Sequence, residues 1–417
     1  MHTPPPVAQA LGPRGLPDTD LKNEVICTSQ EVHTQPLEVF FAAARPHQIH
    51  VPLFQRRFCW GREQVVKLET DVQTAASSGS TLHVGRVLTF IGPNDPRTLI
   101  CDGQQRLVTL SLFLAAVRDV ALSSAVDLPA LADEIDGVLF LDGGTRAKTA
   151  LVPTHEDRAP FYAALARPGD APRAAVAPSA AEPAAAAPAA PAAPAAANGL
   201  HEAKRLLEER TRTSLDLHHA PPVAGAPPAD AAACRDAWRA RLSTLARALL
   251  TRVELVVFRL DEGEEVHRVF EQHAGREKAL KTLWNFSMPG MQVSACDLIR
   301  NLLVSYVRDE AEQERLHGTY WREMEARATG GSGKPFDLES FFMAFLHAVG
   351  FSVGIRPELY TGFRTWISTG VLAEVPADDA AAVLGAIEGA LQKMLAGAHK
   401  WEAHVHQRPP PPQPAAA

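Results

Sequence analysis

The residues best suited to chemistry lie in one short segment, Asp102 to Arg106, which reads D-G-Q-Q-R. An apolar run before Asp102 predicts a strand and a longer one after it predicts a buried helix, so the segment is a strand-to-helix turn. The amides and dipole at the start of such a helix, together with Arg106, favour an anion. Gly103 would let a phosphate approach the backbone, and Gln104 and Gln105 offer donors and acceptors to a phosphate, a base or a water. The alternative interpretation is structural: an Asp helix cap followed by a polar first turn.

A second polar group falls between aromatic residues in the segment 49–64, IHVPLFQRRFCWGREQ. An interrupted strand there would deliver Gln55, Arg56 and Arg57 to one place. In one interpretation, Gln55 and Arg56 meet the Asp102–Arg106 turn from a facing strand. In the other, the neighbouring aromatic side chains simply anchor the following helix in the core. Those aromatic residues are Phe54, Phe58 and Trp60.

Short apolar runs bounded by turn residues predict the strands that position these groups, and apolar residues at helical spacing predict the helices. The predicted fold class is α+β: a small mixed core at about 25–166, followed by a mainly helical region. In the core we expect strands at 48–53, 82–91 and 98–101 and helices at 36–44, 61–76 and 104–120. Beyond it we expect one strand at 252–260 and helices at 200–217, 231–248, 264–281, 294–309, 310–327, 337–349, 357–369 and 379–403.

Composition predicts the order of domains along the chain. Residues 1–24 are a Pro-rich polar leader, which we expect to be disordered, and 25–166 form the core. The Ala/Pro-rich segment 167–199 lacks large apolar side chains and cannot bury enough surface to offset its ordering entropy, so it is a linker or an insertion. Residues 200–405 form the mainly helical remainder of the same domain. A disordered Pro/Ala-rich tail follows at 406–417.

Charge and cysteine usage narrow the class of protein. The net charge of -7 and the pI near 6.2 do not fit a protein whose whole surface grips nucleic acid, although a local basic site remains compatible with them. The cysteines are odd in number and widely spaced, which argues against a disulfide framework or a zinc knuckle. No apolar run is long enough to span a membrane and no signal sequence is evident, so we expect a soluble intracellular protein. The five cysteines are Cys27, Cys59, Cys101, Cys234 and Cys296.

Together, the two polar segments resemble the N-terminal domain of GmrSD-type restriction endonucleases. The shared order is P-x-x-Q-R-x-[YF]-x-W after a strand, then a helix, a strand and D-G-Q-Q-R-L-x-T-L. The resemblance implies a core similar to the ParB/sulfiredoxin fold, in which the equivalent turn binds nucleotide phosphates. The matching residues are Pro52, Gln55, Arg56, Phe58, Trp60, Gln64, Leu68, Asp71, Gly85, Asp102, Gly103, Gln104, Gln105, Arg106, Leu107, Thr109 and Leu110.

The resemblance also implies an activity: binding and hydrolysis of a nucleoside triphosphate (NTP) with Mg²⁺ or another divalent cation, by a sensor module of a modification-dependent restriction-like system. Arg56 and Arg106 would neutralise phosphate charge. Asp102 would hold a metal-bound water or orient the attacking one, and it is the one candidate for a metal contact. Gln104 or Gln105 would position that water. The phosphate-binding set is completed by Gln55, Gly103 and Thr109.

Further along, the spacing departs from the family pattern. The family reads F-E and then at once L-N-x-x-G-x-x-L before D-L-I, whereas here a longer segment separates Phe270-Glu271 from the D-L-I at Asp297. The alternative interpretation of the polar residues near Asp297 is helix capping and local hydrogen bonding. The residues that would form a second half of the site are Asn285, Asp297, Arg300 and Asn301.

The family's nuclease half resembles an H-N-H metal site, and near the end of this chain only Glu402, His404 and His406 are suggestive. Because the segment around the histidines runs into consecutive prolines, we expect it to be extended and unable to close a ligand shell. We therefore expect no DNA cleavage by this chain alone, and a separate nuclease partner for modified DNA. Two other functions remain open: a module that binds a nucleotide or modified DNA without turnover, and a truncated relative with a scaffold role.

Overall fold

The chain has two compact units, an N-terminal unit (Ser29–Gln292) and a C-terminal unit that contains Val293–Ala417. Each has its own hydrophobic core. Among the described residues, no helix is long and apolar enough to cross a lipid bilayer. The computed structural model describes residues 31–53, 55–92, 95–142, 148–170, 194–216, 228–260, 294–307, 309–328, 336–351, 353 and 358–407.

A mixed sheet forms the base of the N-terminal unit. Its strands are β1 (Glu31–Pro36), β2 (Ile49–His50), β3 (Leu82–Gly92), β4 (Asp95–Asp102), β5 (Leu151–Val152) and β6 (Val253–Leu260). Within the described residues the sheet has six strands in the order β1-β6-β3-β4-β2-β5. β1 is antiparallel to β6 and β3 to β4, whereas β6 is parallel to β3, and β2 is parallel to both β4 and β5. The turn that leaves β4 therefore starts between β3 and β2.

Helices cover this sheet, and the helix that follows β4 is the most deeply buried of the core. They are α1 (Leu37–Ala43), α2 (Arg62–Ser78), α3 (Gln104–Ala121), α4 (Pro129–Leu139), α5 (His155–Leu165), α6 (Pro194–Ser214) and α7 (Pro228–Thr251). Every residue of α3 except Arg106 is buried, because α4, α5, α6 and α7 pack around it. A helix that is apolar on all sides is stable only in such surroundings.

The chain after the Ala/Pro-rich segment returns to the same sheet. β6 lies between β1 and β3, with Val253 beside Leu82 and Phe258 beside Leu88. Alternate apolar residues of β6 point into the core, as the period of a strand requires. The polypeptide before and after the segment therefore builds one sheet and one core.

A buried network of charges also joins the two sides of that segment. The Arg118 side chain is 0% exposed, and its guanidinium donates to Asp119 (2.8 and 2.9 Å) and to Asp136 (2.8 Å). Lys204 of α6 lies 2.5 Å from Asp119, and Arg167 donates to Asp136 at 2.7 Å. Every buried charge therefore has an opposite partner, as burial demands. Arg118 also donates to the carbonyls of Leu165 and Ala166.

In its described residues the C-terminal unit is built of helices joined by turns. Its helices are α8 (Ala295–Ser305), α9 (Glu310–Leu316), α10 (Arg322–Ala328), α11 (Leu338–Ala348), α12 (Leu359–Trp366) and α13 (Ala380–Gln407), with π-helical turns at His317–Trp321 and Ile367–Val371. Aromatic side chains from α11 and α12 meet in its core, where Phe342 packs edge-on against Phe363 and Phe345 against Trp366. Such pairs add to the stabilisation from buried area.

The predicted α+β class is confirmed, and the structure corrects several boundaries. The strand expected at 48–53 contracts to Ile49–His50, since Pro52 cannot donate to a ladder. The strand Glu31–Pro36 was not predicted, because it has no apolar run. The segment with His404 was expected to be extended, but it continues helix α13 to Gln407. The helix expected at 264–281 lies outside the described residues.

Candidate functional site

The turn between β4 and α3 is tightly packed on the neighbouring strand. Gly103 has a φ of +99°, and a Cβ atom there would lie 3.0 Å from Val87 Cγ2 and 3.1 Å from the Arg86 carbonyl oxygen. Only glycine combines that backbone conformation with so close an approach. The glycine thus has a packing reason that is independent of a ligand. The helical ladder starts with Leu107 N–H donating to Gly103 O, so the amides of Gln104 and Gln105 precede it at the positive end of the helix.

Arg106 folds back over β3. Its Nη1 donates to the Arg86 carbonyl oxygen. The guanidinium covers a second glycine, since a Cβ at Gly85 would lie 3.3 Å from Arg106 Cζ. Gly85 has a φ of +105° and sits where the register of β3 against β6 shifts, between His83 and Arg86. The bulge at Gly85 therefore provides the surface against which the Arg106 side chain packs.

Arg86 is a member of the site that sequence reasoning missed. Its Nε donates to Asp102 Oδ2 at 3.2 Å, and the two side chains keep 29% and 37% of their surface exposed. Strand alternation could have placed Arg86 on one face of β3, but its proximity to Asp102 depends on the register of β3 against β4. Arg86 thus pairs with Asp102 through its side chain and accepts a bond from Arg106 through its backbone carbonyl, so both arginines contact the start of the turn.

Two buried glutamines fasten the loop 55–60 to the turn. Gln55 Nε2 donates to the Cys101 carbonyl at 2.7 Å. Gln105 receives a bond from the Cys59 amide at 2.9 Å and donates to the Arg57 carbonyl at 3.1 Å. The expectation that the Q-R segment meets the D-G-Q-Q-R turn is thus realised through amide side chains. Gln55 and Gln105 therefore hold the loop in place, and their polar atoms face protein groups rather than solvent.

A carboxylate holds the other side of the same loop. Asp157, near the start of α5, accepts a bond from the Phe58 amide at 2.5 Å and from the Thr154 hydroxyl at 3.0 Å, both on Oδ2. No described residue donates to its buried Oδ1. Burial raises the pKa of Asp157 to about 6, while the two hydrogen bonds and nearby Arg57 partly oppose that rise.

The remaining predicted residues of this site differ in solvent exposure. Thr109 is completely buried and its hydroxyl donates to the Gln105 carbonyl, so it does not reach the surface. Gln104 is nearly buried, whereas Arg56 is partly exposed on the loop. Burial raises the pKa of the Cys101 thiol, so this cysteine stays protonated. Partly exposed charge is therefore contributed by Arg56, Arg57, Arg86, Asp102 and Arg106.

Of the residues expected to form a second half of the site, Asp297, Arg300 and Asn301 belong to the C-terminal unit. Asp297 forms a capping box with Ser294, and its Oδ1 accepts a 2.8 Å bond from Arg300. Arg300 also reaches Glu325 at 3.3 Å, and Asn301 is buried. These contacts agree with the capping interpretation. Asn285 lies outside the described residues. Glu402 is nearly buried on α13 and pairs with Arg327.

The residues offer few ligands for a metal. In the described parts of the chain, no three His, Cys, Asp or Glu side chains come together in a way that could hold an ion. Among the residues that the structure describes, Asp102 is the carboxylate at this turn. A Mg²⁺ ion bound there would be held mostly by phosphate oxygens and water, the usual arrangement for nucleotide-bound magnesium.

The fold and the turn define an α+β domain with a cationic strand-to-helix site. Residues 37–182 match the family model described as GmrSD restriction endonuclease, N-terminal domain. This part of the chain is similar to that family, and the similarity suggests a restriction-system module with DNA-related partners. The match spans the loop 55–60, the turn 102–106 and Asp157. A search of curated proteins found no match to the chain.

Proposed function

We propose that the N-terminal unit binds the phosphates of a nucleoside triphosphate and hydrolyses it, as the sensor module of a modification-dependent restriction system. One observation carries this proposal. Arg86 pairs with Asp102 at the positive end of α3, and Arg106, in the first turn of that helix, donates to the backbone carbonyl of the same Arg86. Guanidinium groups at a helix N-terminus bind phosphate through charge and through paired N–H donors.

The proposed roles follow from which charged side chains are exposed to solvent. Arg86 and Arg106 contact phosphate oxygens, and Arg56 and Arg57 supply further positive charge from the adjoining loop. Asp102 is the only one of these groups that can accept a proton or a hydrogen bond from water, so it orients the attacking water. Bound Mg²⁺ would neutralise charge that develops on the phosphates. Gln105 keeps the loop in place and makes no contact with the nucleotide in this scheme.

Binding without turnover is the second candidate function. It is favoured by the engagement of both polar atoms of Gln105 with Cys59 and Arg57, which fixes that amide against the loop rather than on an attacking water. It is also favoured by the bond between Arg86 and Asp102, which already engages Oδ2 of the carboxylate. Modified DNA is the other phosphate ligand for such a module. The two candidates differ in one measurable step, the release of inorganic phosphate.

The test uses the full chain with ATP, GTP, CTP and UTP in turn, with and without Mg²⁺. Binding is measured by calorimetry and hydrolysis by phosphate release. We expect Arg106→Ala and Arg86→Gln to weaken binding by roughly 10- to 150-fold, the range for loss of a charge-assisted contact. The control is Arg241→Gln, an exposed arginine of α7 that pairs with exposed Asp216.

Thermal unfolding of each variant must first show that it is folded. Normal nucleotide binding by folded Arg106→Ala would remove the turn from the site. Binding of a nucleotide by the wild-type chain without phosphate release would select the second candidate. Failure to bind any of the four nucleotides, with or without Mg²⁺, would refute the proposal.

A further inference from the structure

The loop 55–60 is held from two sides by groups of different kinds. On the side of α3, neutral Gln105 bonds to the backbone of Arg57 and Cys59. On the side of α5, the amide between them, that of Phe58, donates to the carboxylate of Asp157. Backbone groups of three successive residues are thus hydrogen-bonded to side chains of two different helices. In the described contacts of this loop with the rest of the unit, Asp157 supplies the charged acceptor.

The environment of Asp157 disfavours a charge. The residue is 2% exposed, Oδ2 receives both described hydrogen bonds, and no described residue donates to Oδ1. Buried polar atoms normally have a hydrogen-bond partner, so Oδ1 of Asp157 is an exception among the described residues. The ionised form nevertheless makes the stronger bond to the Phe58 amide, because a charged acceptor binds an N–H more tightly than a neutral acid does.

The charged and titratable groups around Asp157 determine whether its ionised form is favoured. Arg57 of the loop favours the carboxylate, and Glu156 of its own helix opposes it. Of its other neighbours on α5, His155 is exposed and Arg158 donates to the Pro153 carbonyl at 3.4 Å. α3 faces the loop with neutral Gln105, and α6 approaches Phe58 with Gly199. Arg57 is therefore the cation whose position is coupled to the charge of Asp157.

We infer that ionised Asp157 is a positioning residue that holds the loop 55–60, and with it Arg56 and Arg57, in the arrangement that binds nucleotide phosphate. The inference rests on the function proposed above. Protonation weakens the bond to Phe58 and ends the attraction of Arg57, so the loop loosens and its positive charge is less well placed. Because burial raises the pKa of Asp157 to about 6, nucleotide affinity should fall as the pH drops through that value.

The first arm of the test measures the loop without a ligand. Amide hydrogen exchange of a peptide that covers 55–60 is compared in wild type and Asp157→Asn at the same pH. We expect exchange about fivefold faster in the variant above pH 6 and equal exchange well below it, the scale of losing one charge-assisted bond. Equal exchange at every pH would overturn the inference, whether or not a nucleotide binds.

The second arm measures affinity for the four nucleotides across the same pH range. The terminal phosphate of a nucleotide titrates there too, so variants are compared with wild type at each pH. Asp157→Asn should bind about fivefold more weakly than wild type above pH 6, and the two should converge below it. The matched control is Glu69→Gln, which neutralises a buried carboxylate of α2 that pairs with Arg210, away from the loop. It should follow wild type.

Thr154→Ala gives a directional check that keeps Asp157 in place. It removes a hydrogen bond to the ionised form, so both the exchange and the affinity transitions should move to higher pH. It also serves if Asp157→Asn does not fold. An unmoved transition would count against the inference. If the exchange arm behaves as expected but wild type binds no nucleotide, the positioning role stands and the nucleotide proposal fails.

Discussion

Replacement of Arg118 by methionine should destabilise the N-terminal unit by about 3–5 kcal/mol. The side chain is 0% exposed, so the buried ion pairs with Asp119 and Asp136 lose one partner each. Removing one member of a buried ion pair costs about 3–5 kcal/mol, because the remaining charge is left without compensation. Here Lys204 still faces Asp119 and Arg167 still faces Asp136, which limits that part of the loss. The two carbonyls that lose a donor add about 1 kcal/mol each.

The assay is amide hydrogen exchange of peptides from α3 under native conditions, since this helix lies at the centre of the affected core. The control is Arg241→Met. Its guanidinium lies 3.4 Å from Asp216, and the two side chains are 59% and 69% exposed, so its loss should cost less than about 1 kcal/mol. A loss of under about 1 kcal/mol for Arg118→Met would mean that desolvation already cancels the attraction. The network would then contribute no net stability.

Three further predictions concern the turn, the Ala/Pro-rich segment and the pH. Gly103→Ala should unfold at a lower denaturant concentration than Gly169→Ala. Both glycines have a positive φ, so alanine adds a backbone strain of about 1–2 kcal/mol at either position, but only at Gly103 would its Cβ also clash with β3. Equal losses of stability in the two variants would refute the packing argument. Replacing 171–193 with a short Gly/Ser linker that keeps Arg167 and α6 should leave the melting temperature within a few degrees, and a larger drop would show that the segment packs on the unit. The pKa of Asp157 rises from 3.8 to about 6 on folding because burial disfavours its charge. Complete unfolding returns this carboxylate to water, unlike loosening of the loop, which removes only its contacts with the loop; the contribution to global stability is therefore greatest below pH 3.8 and is lost as pH rises through 6, by up to about 3 kcal/mol. Relative to Asp157→Asn, wild type should gain stability in urea titrations as pH is lowered from neutral, and an unchanged difference would exclude the titration.

Local patterns in the sequence were enough to predict the elements that carry the site. A run of apolar residues on every side of 104–120 can be stable only as a buried helix, and α3 is that helix. The strand at 252–260 and the strand-to-helix turn at Asp102 followed from similar patterns, since their signals lie within a few residues. The family was predicted on the same grounds, because the Q-R and D-G-Q-Q-R segments lie close in sequence, and the match over 37–182 confirms it.

Tertiary structure alone decided which of these residues face solvent. Gln55 and Gln105 have the chemistry of ligand-binding groups, but each bonds to backbone atoms 46 to 48 residues away. Arg86 became a neighbour of Asp102 only through the register of β3 against β4. Strand β1, which has no apolar run, exists because β6 returns after more than 200 residues to pair with it. Such contacts depend on how the whole chain closes its core, and no local spacing of residue types records them.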